Sequence, residues 1–127
     1  MAASLEERVR ARIQEAKEHD PAALSTDQSA LLLIATMGGS MYVRPDGTVL
    51  TEVRDSGEGL VEELDPKNRC AGLVNGTKKY PELAAFLPQR SANSKACIAC
   101  AGTGWLTLRK QSIVCAECSG LGWSDAA

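Results

Sequence analysis

The apolar positions near the start of the chain recur with helical spacing. Over residues 5–18, apolar side chains lie on one predicted face and charged side chains lie on the other. Ser4-x-x-Glu7 has the form of a capping box, and the Asp20-Pro21 pair disfavours continuation of the helix. We therefore predict an amphipathic helix over residues 5–18, with its charged face in solvent.

A continuous apolar run over residues 30–35 has no clear period. Ser25-x-x-Gln28 before the run resembles a second capping box, and two glycines at positions 38–39 follow it. These features predict a helix that is buried on nearly all sides and forms the centre of the core. Because the run is short, a buried β-strand is the alternative interpretation.

The pattern between residues 41 and 53 indicates a β-hairpin. Two short segments that favour strands, 41–44 and 48–53, flank the tripeptide Pro45-Asp46-Gly47. Proline presets the backbone for a turn, and glycine accepts the left-handed conformation that the turn requires.

Two further short helices are predicted before the C-terminal region. Asp65-Pro66 has the form of an N-cap followed by proline at the first helical position, and a stop is expected at residues 75–76. The second of these helices is predicted over residues 80–88. Cys70 lies in the first one and is interpreted as a small buried apolar residue, because no histidine lies near it in the sequence.

The last third of the chain contains the same nine-residue pattern twice. Residues 97–105 and 115–123 both read C-x-x-C-x-G-x-G-W, with an offset of 18 residues. Between the copies, alternation at 106–108 and β-branched residues at 113–114 predict two strands that turn near residues 110–111. Such a hairpin would bring the two C-x-x-C turns to the same end.

The four cysteines of these repeats have the spacing of a structural zinc site. The pattern is C-x2-C-x14-C-x2-C, and its ligands would be Cys97, Cys100, Cys115 and Cys118. Four thiolates close a tetrahedral site and leave no coordination position for water or substrate. One structural Zn²⁺ ion is therefore predicted.

The glycines of the repeat have a mechanical role. After the second cysteine of each turn the chain must reverse, and Gly102 and Gly120 are expected to adopt positive φ there. Gly104 and Gly122 are expected to allow close approach of the backbone beside the tryptophans.

Three other uses of these thiols stay open from the residues alone. A four-thiolate site can hold iron, and a C-x-x-C pair can act as a redox dithiol. Disulfides are the third use, but the N-terminus has no apolar signal segment and Cys70 makes the number of cysteines odd. We therefore expect a cytoplasmic protein whose cysteines bind a metal.

The C-x-x-C-x-G-x-G repeat resembles the cysteine-rich zinc-finger domain of DnaJ-type co-chaperones. In that family, four repeats form two zinc sites and help to hold non-native polypeptide. The resemblance covers residues 95–124, and two repeats suffice for one such site. The family's J domain is not recognisable, because His19-Asp20-Pro21 has the letters of its tripeptide in another order. The resemblance implies a half-size zinc module with a chaperone-like contact to protein.

Charge and composition argue against nucleic acid and membrane as partners. The net charge is −2, whereas nucleic-acid-binding modules usually carry a clustered basic surface. Trp105 and Trp123 can stack on bases, but tryptophans beside a zinc site more often pack against it. No apolar run approaches the length of a membrane span. Aromatic residues make up only 4% of the chain, so a thin aliphatic core is expected, of the kind that a metal often stabilises.

These patterns together predict an α+β protein in two parts. A small domain of helices and a β-hairpin covers residues 1–88, and the polar segment 89–94 is the linker. A four-cysteine zinc-binding hairpin module covers residues 95–124.

The sequence contains no combination of acid, base and nucleophile typical of an enzyme, so we expect a non-catalytic protein. Binding of a protein partner, as an adaptor or chaperone-like module, is the favoured function. The predicted contact residues are Trp105, Trp123, Leu106 and Leu108. The alternatives are a nucleic-acid-binding zinc protein, a thiol–disulfide redox protein, and a bacterial immunity or accessory protein that binds a cognate toxin. The last rests on a resemblance in layout to small bacterial proteins of unknown role.

Overall fold

The computed structural model describes residues 3–36 and 38–125, and these residues form helices and antiparallel strands. The α-helices are α1 (Leu5–His19) and α2 (Pro66–Gly76), and short 3₁₀ helices cover Pro21–Ala23 and Pro81–Phe86. The strands are β1 (Leu31–Thr36), β2 (Gly39–Val43), β3 (Val49–Val53), β4 (Leu60–Glu62), β5 (Ser94–Ala96), β6 (Trp105–Leu108), β7 (Gln111–Val114) and β8 (Trp123–Asp125). The protein therefore has the predicted α+β fold.

Helix α1 begins and ends close to its predicted limits. The Ser4 side chain accepts a hydrogen bond from the backbone N–H of Glu7 at 3.1 Å, as the capping-box pattern predicts. The helix ends at His19, one residue beyond the predicted limit. Its buried side chains are Val9, Ile13 and Ala16.

The predicted core helix over residues 30–35 is wrong, because this segment is strand β1. The Ser25 hydroxyl does not cap a helix. It accepts hydrogen bonds from the backbone N–H groups of Ser29 and Ala30, both at 3.2 Å, and so closes a tight turn. Gln28 lies in that turn with a φ of +58°, which is incompatible with the start of a helix.

The alternative prediction, a buried strand, is correct for physical reasons. A six-residue run is too short for a helix that must nucleate and propagate on its own. A strand projects successive side chains to opposite faces, and both faces of β1 meet apolar neighbours. Leu31 and Leu33 belong to the main core, whereas Leu32 packs on a smaller cluster around Tyr42 on the other face.

The first four strands form an antiparallel sheet in the order β1-β2-β3-β4. Strands β2 and β3 are the predicted hairpin, and Val43 pairs with Val49 beside the turn. In the turn, Gly47 has a φ of +91°, and its N–H donates to the carbonyl oxygen of Arg44 at 2.9 Å. The hairpin prediction is therefore confirmed.

Helices α1 and α2 and the second 3₁₀ helix pack on one face of this sheet. The core between them is mainly aliphatic, as the composition predicts. Its most completely buried members are Val9, Leu31, Val43, Val49 and Leu83.

Helix α2 begins at the predicted position. The Asp65 side chain accepts a hydrogen bond from the backbone N–H of Lys67 at 2.9 Å, and Pro66 is the first helical residue. The helix ends at Gly76, where any side chain would collide with Leu33. The predicted helix over residues 80–88 is a 3₁₀ helix, Pro81–Phe86.

The C-terminal region consists of two small antiparallel pairs, β6 with β7 and β5 with β8. The β6–β7 pair is the hairpin predicted between the repeats. It turns at Arg109 and Lys110, whose φ values are +50° and +69°, one residue earlier than predicted. Two successive residues with positive φ are typical of the two-residue turns that match the twist of a hairpin.

The β6–β7 hairpin contacts the C-terminal end of α2. Lys78 Nζ lies 4.4 Å from the centre of the Trp105 ring and 3.3 Å from the carbonyl oxygen of Ser112. Nearby, a Cβ placed on Gly120 would lie 2.8 Å from a side-chain carbon of Val74. These contacts join the two predicted parts of the chain, and their division at residues 89–94 stays a prediction.

Candidate metal centre

Each C-x-x-C turn is closed by the same local hydrogen bond. In the first repeat, the N–H of Gly102 donates to the carbonyl oxygen of Cys97 at 2.9 Å. In the second repeat, the N–H of Gly120 donates to the carbonyl oxygen of Cys115 at 3.0 Å. Gly102 and Gly120 have φ values of +80° and +84°, which confirms the predicted reversal of the chain after each cysteine pair.

The residues before these glycines, Ala101 and Ser119, also adopt positive φ, at +54° and +55°. The sequence gives no sign of this, because neither residue type favours the left-handed region. The same unusual backbone in both copies shows that the repeat encodes one conformation twice.

The two turns are also bonded to each other. Cys97 N–H donates to the carbonyl oxygen of Gly122, and Cys115 N–H donates to that of Gly104, both at 2.9 Å. The backbone approach is so close at Gly104 and Gly122 that a side chain on either would collide with a glycine carbonyl of the other repeat. The predicted role of these two glycines in close backbone approach is therefore confirmed.

This arrangement brings the sulfurs of Cys97, Cys100, Cys115 and Cys118 within 4.8 Å of one another. The Sγ atoms of Cys97 and Cys115 are 3.8 Å apart, and those of Cys100 and Cys118 are 3.7 Å apart. A tetrahedral ion with metal–sulfur bonds of about 2.3 Å separates its ligands by about 3.8 Å. All four cysteines are buried and carry free thiols, so the donor set fits a closed four-sulfur metal site.

Backbone N–H groups point at two of the sulfurs. Gly104 N–H donates to Cys100 Sγ and Gly122 N–H donates to Cys118 Sγ, both at 3.2 Å. Hydrogen bonds of this kind favour a thiolate over a thiol, and they come from the same glycines that interlock the repeats. The backbone therefore stabilises negative charge on these two sulfurs.

The thiols of the four-cysteine cluster affect one another's ionisation. Burial opposes the charge on Cys100, but hydrogen bonds from Gly104 and from the neighbouring thiols lower the pKa of Cys100 to about 6. Burial raises the pKa of Cys118 to about 12, and its hydrogen bond to Cys100 adds to this rise. The two pKa values shift in opposite directions because a charged sulfur disfavours charge on its neighbour. A bound cation would favour the thiolate at every ligand.

The four predicted contact residues lie in different places around the cluster. Leu106 packs against the cysteines, and Leu108 follows it on the same face of β6, with 58% of its surface exposed. Trp105 lies on the opposite face of β6, under Lys78. Trp123 is in β8 and lines a cleft beside α2. Their joint role in partner binding stays a prediction.

That cleft contains residues that the sequence does not single out. It has a volume of about 640 Å³ and is lined by the start of α2, the end of the second 3₁₀ helix and the second repeat. Leu121 lines it, and the first repeat has Thr103 at the equivalent position. Glu117 and Ser119 also line it and also differ from the first repeat, which has alanine at both positions. These differences between the repeats are the signal in the sequence. Cys70 also lines the cleft, and burial raises the pKa of its thiol, so it is an uncharged, mostly buried side chain.

Comparisons with protein-family models, with curated proteins and with solved structures found no match. The likeness to the DnaJ-type zinc finger is therefore confined to the repeat motif and its four clustered cysteines. In the described part of the chain, neither α-helix has the length and apolar character needed to cross a membrane.

Proposed function

We propose that this chain is a non-catalytic, cytoplasmic zinc protein whose metal-shaped C-terminal module recognises another polypeptide, as an adaptor or chaperone-like protein. The observation that carries the proposal is the buried group of four sulfurs within 4.8 Å of one another, formed by two interlocked copies of one turn. A site with four thiolate ligands has no position for water or substrate, so its metal would have a structural role.

Zinc is favoured over the other uses of these thiols. A dithiol redox site needs an accessible thiolate that attacks a substrate, whereas Cys97 and Cys115 are only 8% and 0% exposed. Four thiolates also suit iron, but zinc is the common ion in closed structural sites of this spacing. Zinc binding contributes roughly 10–16 kcal/mol in zinc-finger peptides, which is enough to order a small hairpin module.

Apolar residues exposed on the module support protein recognition. Leu106 pairs with Ile113 across the β6–β7 hairpin, so Leu106, Leu108 and Ile113 share one face. Leu108 is 58% exposed and Ile113 is 40% exposed. Ile98, in the first C-x-x-C turn, is 96% exposed. Exposed apolar side chains grouped on a rigid element are typical of protein-binding surfaces.

The surroundings of Trp105 argue against nucleic acid as the partner. Lys78 covers the Trp105 ring at 4.4 Å, and a ring covered in this way has one face fewer for a base to stack on. The overall charge of −2 gives no general attraction for phosphates.

The proposed function is tested with a chemically unfolded client protein that aggregates on dilution. We expect the zinc-loaded chain to suppress aggregation or to form a concentration-dependent complex, and we expect Cys100→Ser to lose this effect together with the metal. Thr26→Ser is the control, because Thr26 is exposed and lies outside both the four-sulfur group and the cleft beside α2. Failure to bind any polypeptide would rule out this function. Catalysed disulfide exchange would support the redox alternative, and salt-sensitive binding to an oligonucleotide would support the nucleic-acid alternative.

A further inference from the structure

The cleft between α2 and the second repeat has an apolar floor. Leu73 and Phe86 line it from the first part of the chain, and Leu121 and Trp123 line it from the metal module. Its volume of about 640 Å³ is in the range of ligand-binding sites, and such sites often lie where two parts of a protein meet. Trp123, which the sequence predicts as a contact residue, lies on this surface.

The rim of the cleft carries a positive charge. Lys67 and Arg69 project from the first turns of α2, where the helix dipole is also positive, and both are exposed. Neither forms an ion pair with any other described residue. Glu117 is the one carboxylate in the lining, and it lies with Cys118 on the second repeat, so the positive charge belongs to the α2 side of the cleft.

The repeats differ at their four variable positions, and three of the second-repeat residues at these positions line the cleft: Glu117, Ser119 and Leu121. At the position of Leu121, the first repeat has Thr103, which is exposed and whose hydroxyl lies 2.8 Å from the carbonyl oxygen of Cys100 and 2.9 Å from that of Trp105. Because threonine is compatible with the same turn, the turn itself does not require leucine. Leu121 is half-buried and faces the cleft, where it adds to the apolar floor.

We propose that this cleft binds an extended segment of a partner polypeptide, through one apolar side chain on the floor and neighbouring acidic residues at the Lys67 and Arg69 rim. The inference rests on the proposed function and specifies the kind of partner. The cleft is open to solvent, whereas small-molecule sites enclose most of the ligand surface. An extended chain that anchors one side chain and continues past the rim suits such an opening.

The test is selection from a random decapeptide library on the 127-residue chain as purified with its metal. The wild-type chain is expected to enrich peptides with an aliphatic or aromatic residue beside aspartate or glutamate. The double variant Lys67→Glu, Arg69→Glu is expected to bind those peptides roughly tenfold more weakly and to enrich lysine or arginine instead.

A matched pair of variants separates the cleft from the metal site. Leu121→Thr installs the side chain of the first repeat and is expected to weaken the selected peptides roughly tenfold while the metal content stays unchanged. Leu64→Thr makes the same change at a leucine that is 74% exposed and lies outside the cleft lining, and it is expected to leave peptide affinity unchanged.

Several results would overturn the inference. Selected peptides that lack acidic residues would contradict the role given to Lys67 and Arg69. Peptides that bind Leu121→Thr and the double variant as tightly as wild type would place recognition on another face and leave the proposed function standing. Self-association that the double variant abolishes would assign the cleft to a second copy of this chain. Binding of neither library peptides nor an unfolded client would contradict both proposals together.

Discussion

Gly122 lies so close to the carbonyl oxygen of Gly102 that a Cβ on Gly122 would stand 2.5 Å from that oxygen. The equivalent contact, between Gly104 and the carbonyl oxygen of Gly120, is at least as close. Gly104 and Gly122 both have a φ of +84°. The two repeats thus interlock through their backbones, and this interlocking is what brings the four sulfurs together.

Gly122→Ala is expected to destabilise the metal module because it combines backbone strain with this collision. Overpacking in a tightly packed region costs about 1–3 kcal/mol in the free energy of unfolding. The same change should weaken metal binding, since Gly122 N–H donates to Cys118 Sγ. Thermal unfolding and competition with a metal chelator measure the two effects.

The matched control for this variant is Gly57→Ala. Gly57 has a φ of +75°, so alanine there carries similar backbone strain, but a Cβ on Gly57 would meet nothing within 4 Å. We expect the control to lose less stability and to keep wild-type metal affinity. Equal losses in the two variants would show that strain alone, and not the contact between repeats, accounts for the effect.

A second prediction concerns the pH dependence of stability. Glu82 is joined to Arg12 by two hydrogen bonds of 2.9 and 3.2 Å. Burial works against the charged carboxylate, but the hydrogen bonds from Arg12 outweigh it and lower the pKa of Glu82. A carboxylate whose pKa is lower in the folded state stabilises that state at neutral pH. This stabilisation is lost as the pH falls from the unfolded-state value, about 4.3, through the lower folded-state pKa.

Glu82→Gln is therefore expected to lower stability at pH 7 and to flatten the acid limb of the stability curve below about pH 5. Denaturant titrations at a series of pH values measure this. Glu6→Gln is the control, because the Glu6–Arg10 pair lies on exposed α1 surface, where ion pairs contribute little. If the stability of Glu82→Gln falls as steeply with decreasing pH as that of wild type, Glu82 is not the source of the pH dependence.

A third prediction concerns the division of the chain at residues 89–94. Cys115→Ser is expected to unfold residues 95–124, because the small core of the module consists of the four cysteines and Leu106. The β2–β3 hairpin should keep its protection, since its core lies in the first part of the chain. Amide hydrogen exchange followed by mass spectrometry resolves the two regions. If both regions lose protection together, the predicted boundary is wrong.

The candidate site was largely predictable because its chemistry is local. Cysteine spacing and repeated glycines determine the turns, and duplication of the turn supplies the second half of the site. The sequence does not reveal the tertiary contacts of the module. The contact of Lys78 with the Trp105 ring and the position of Leu121 in the cleft both depend on how the module packs against α2.

The fold was predictable where turn and cap residues act locally, as at Ser4 and in the turn around Gly47. The helix prediction at β1 is wrong because an apolar run of six residues has no period, so its secondary structure depends on its neighbours. Ser25 does not distinguish the two structures, because the same hydroxyl that caps helices also closes tight turns. The sequence predicts the hairpin turn one residue too late, because neither Arg109 nor Lys110 belongs to the residue types that usually adopt positive φ.

Metal analysis of the chain purified without added zinc, combined with thiol titration, tests the central claim most directly. We predict one zinc ion per chain, with four thiols that react slowly until a chelator is added. Cys70 lies outside the four-sulfur group, and a parallel titration of Cys70→Ala identifies its share of the reactive thiols. A folded protein that holds no metal, or whose four cysteines are joined in disulfides, would contradict the account.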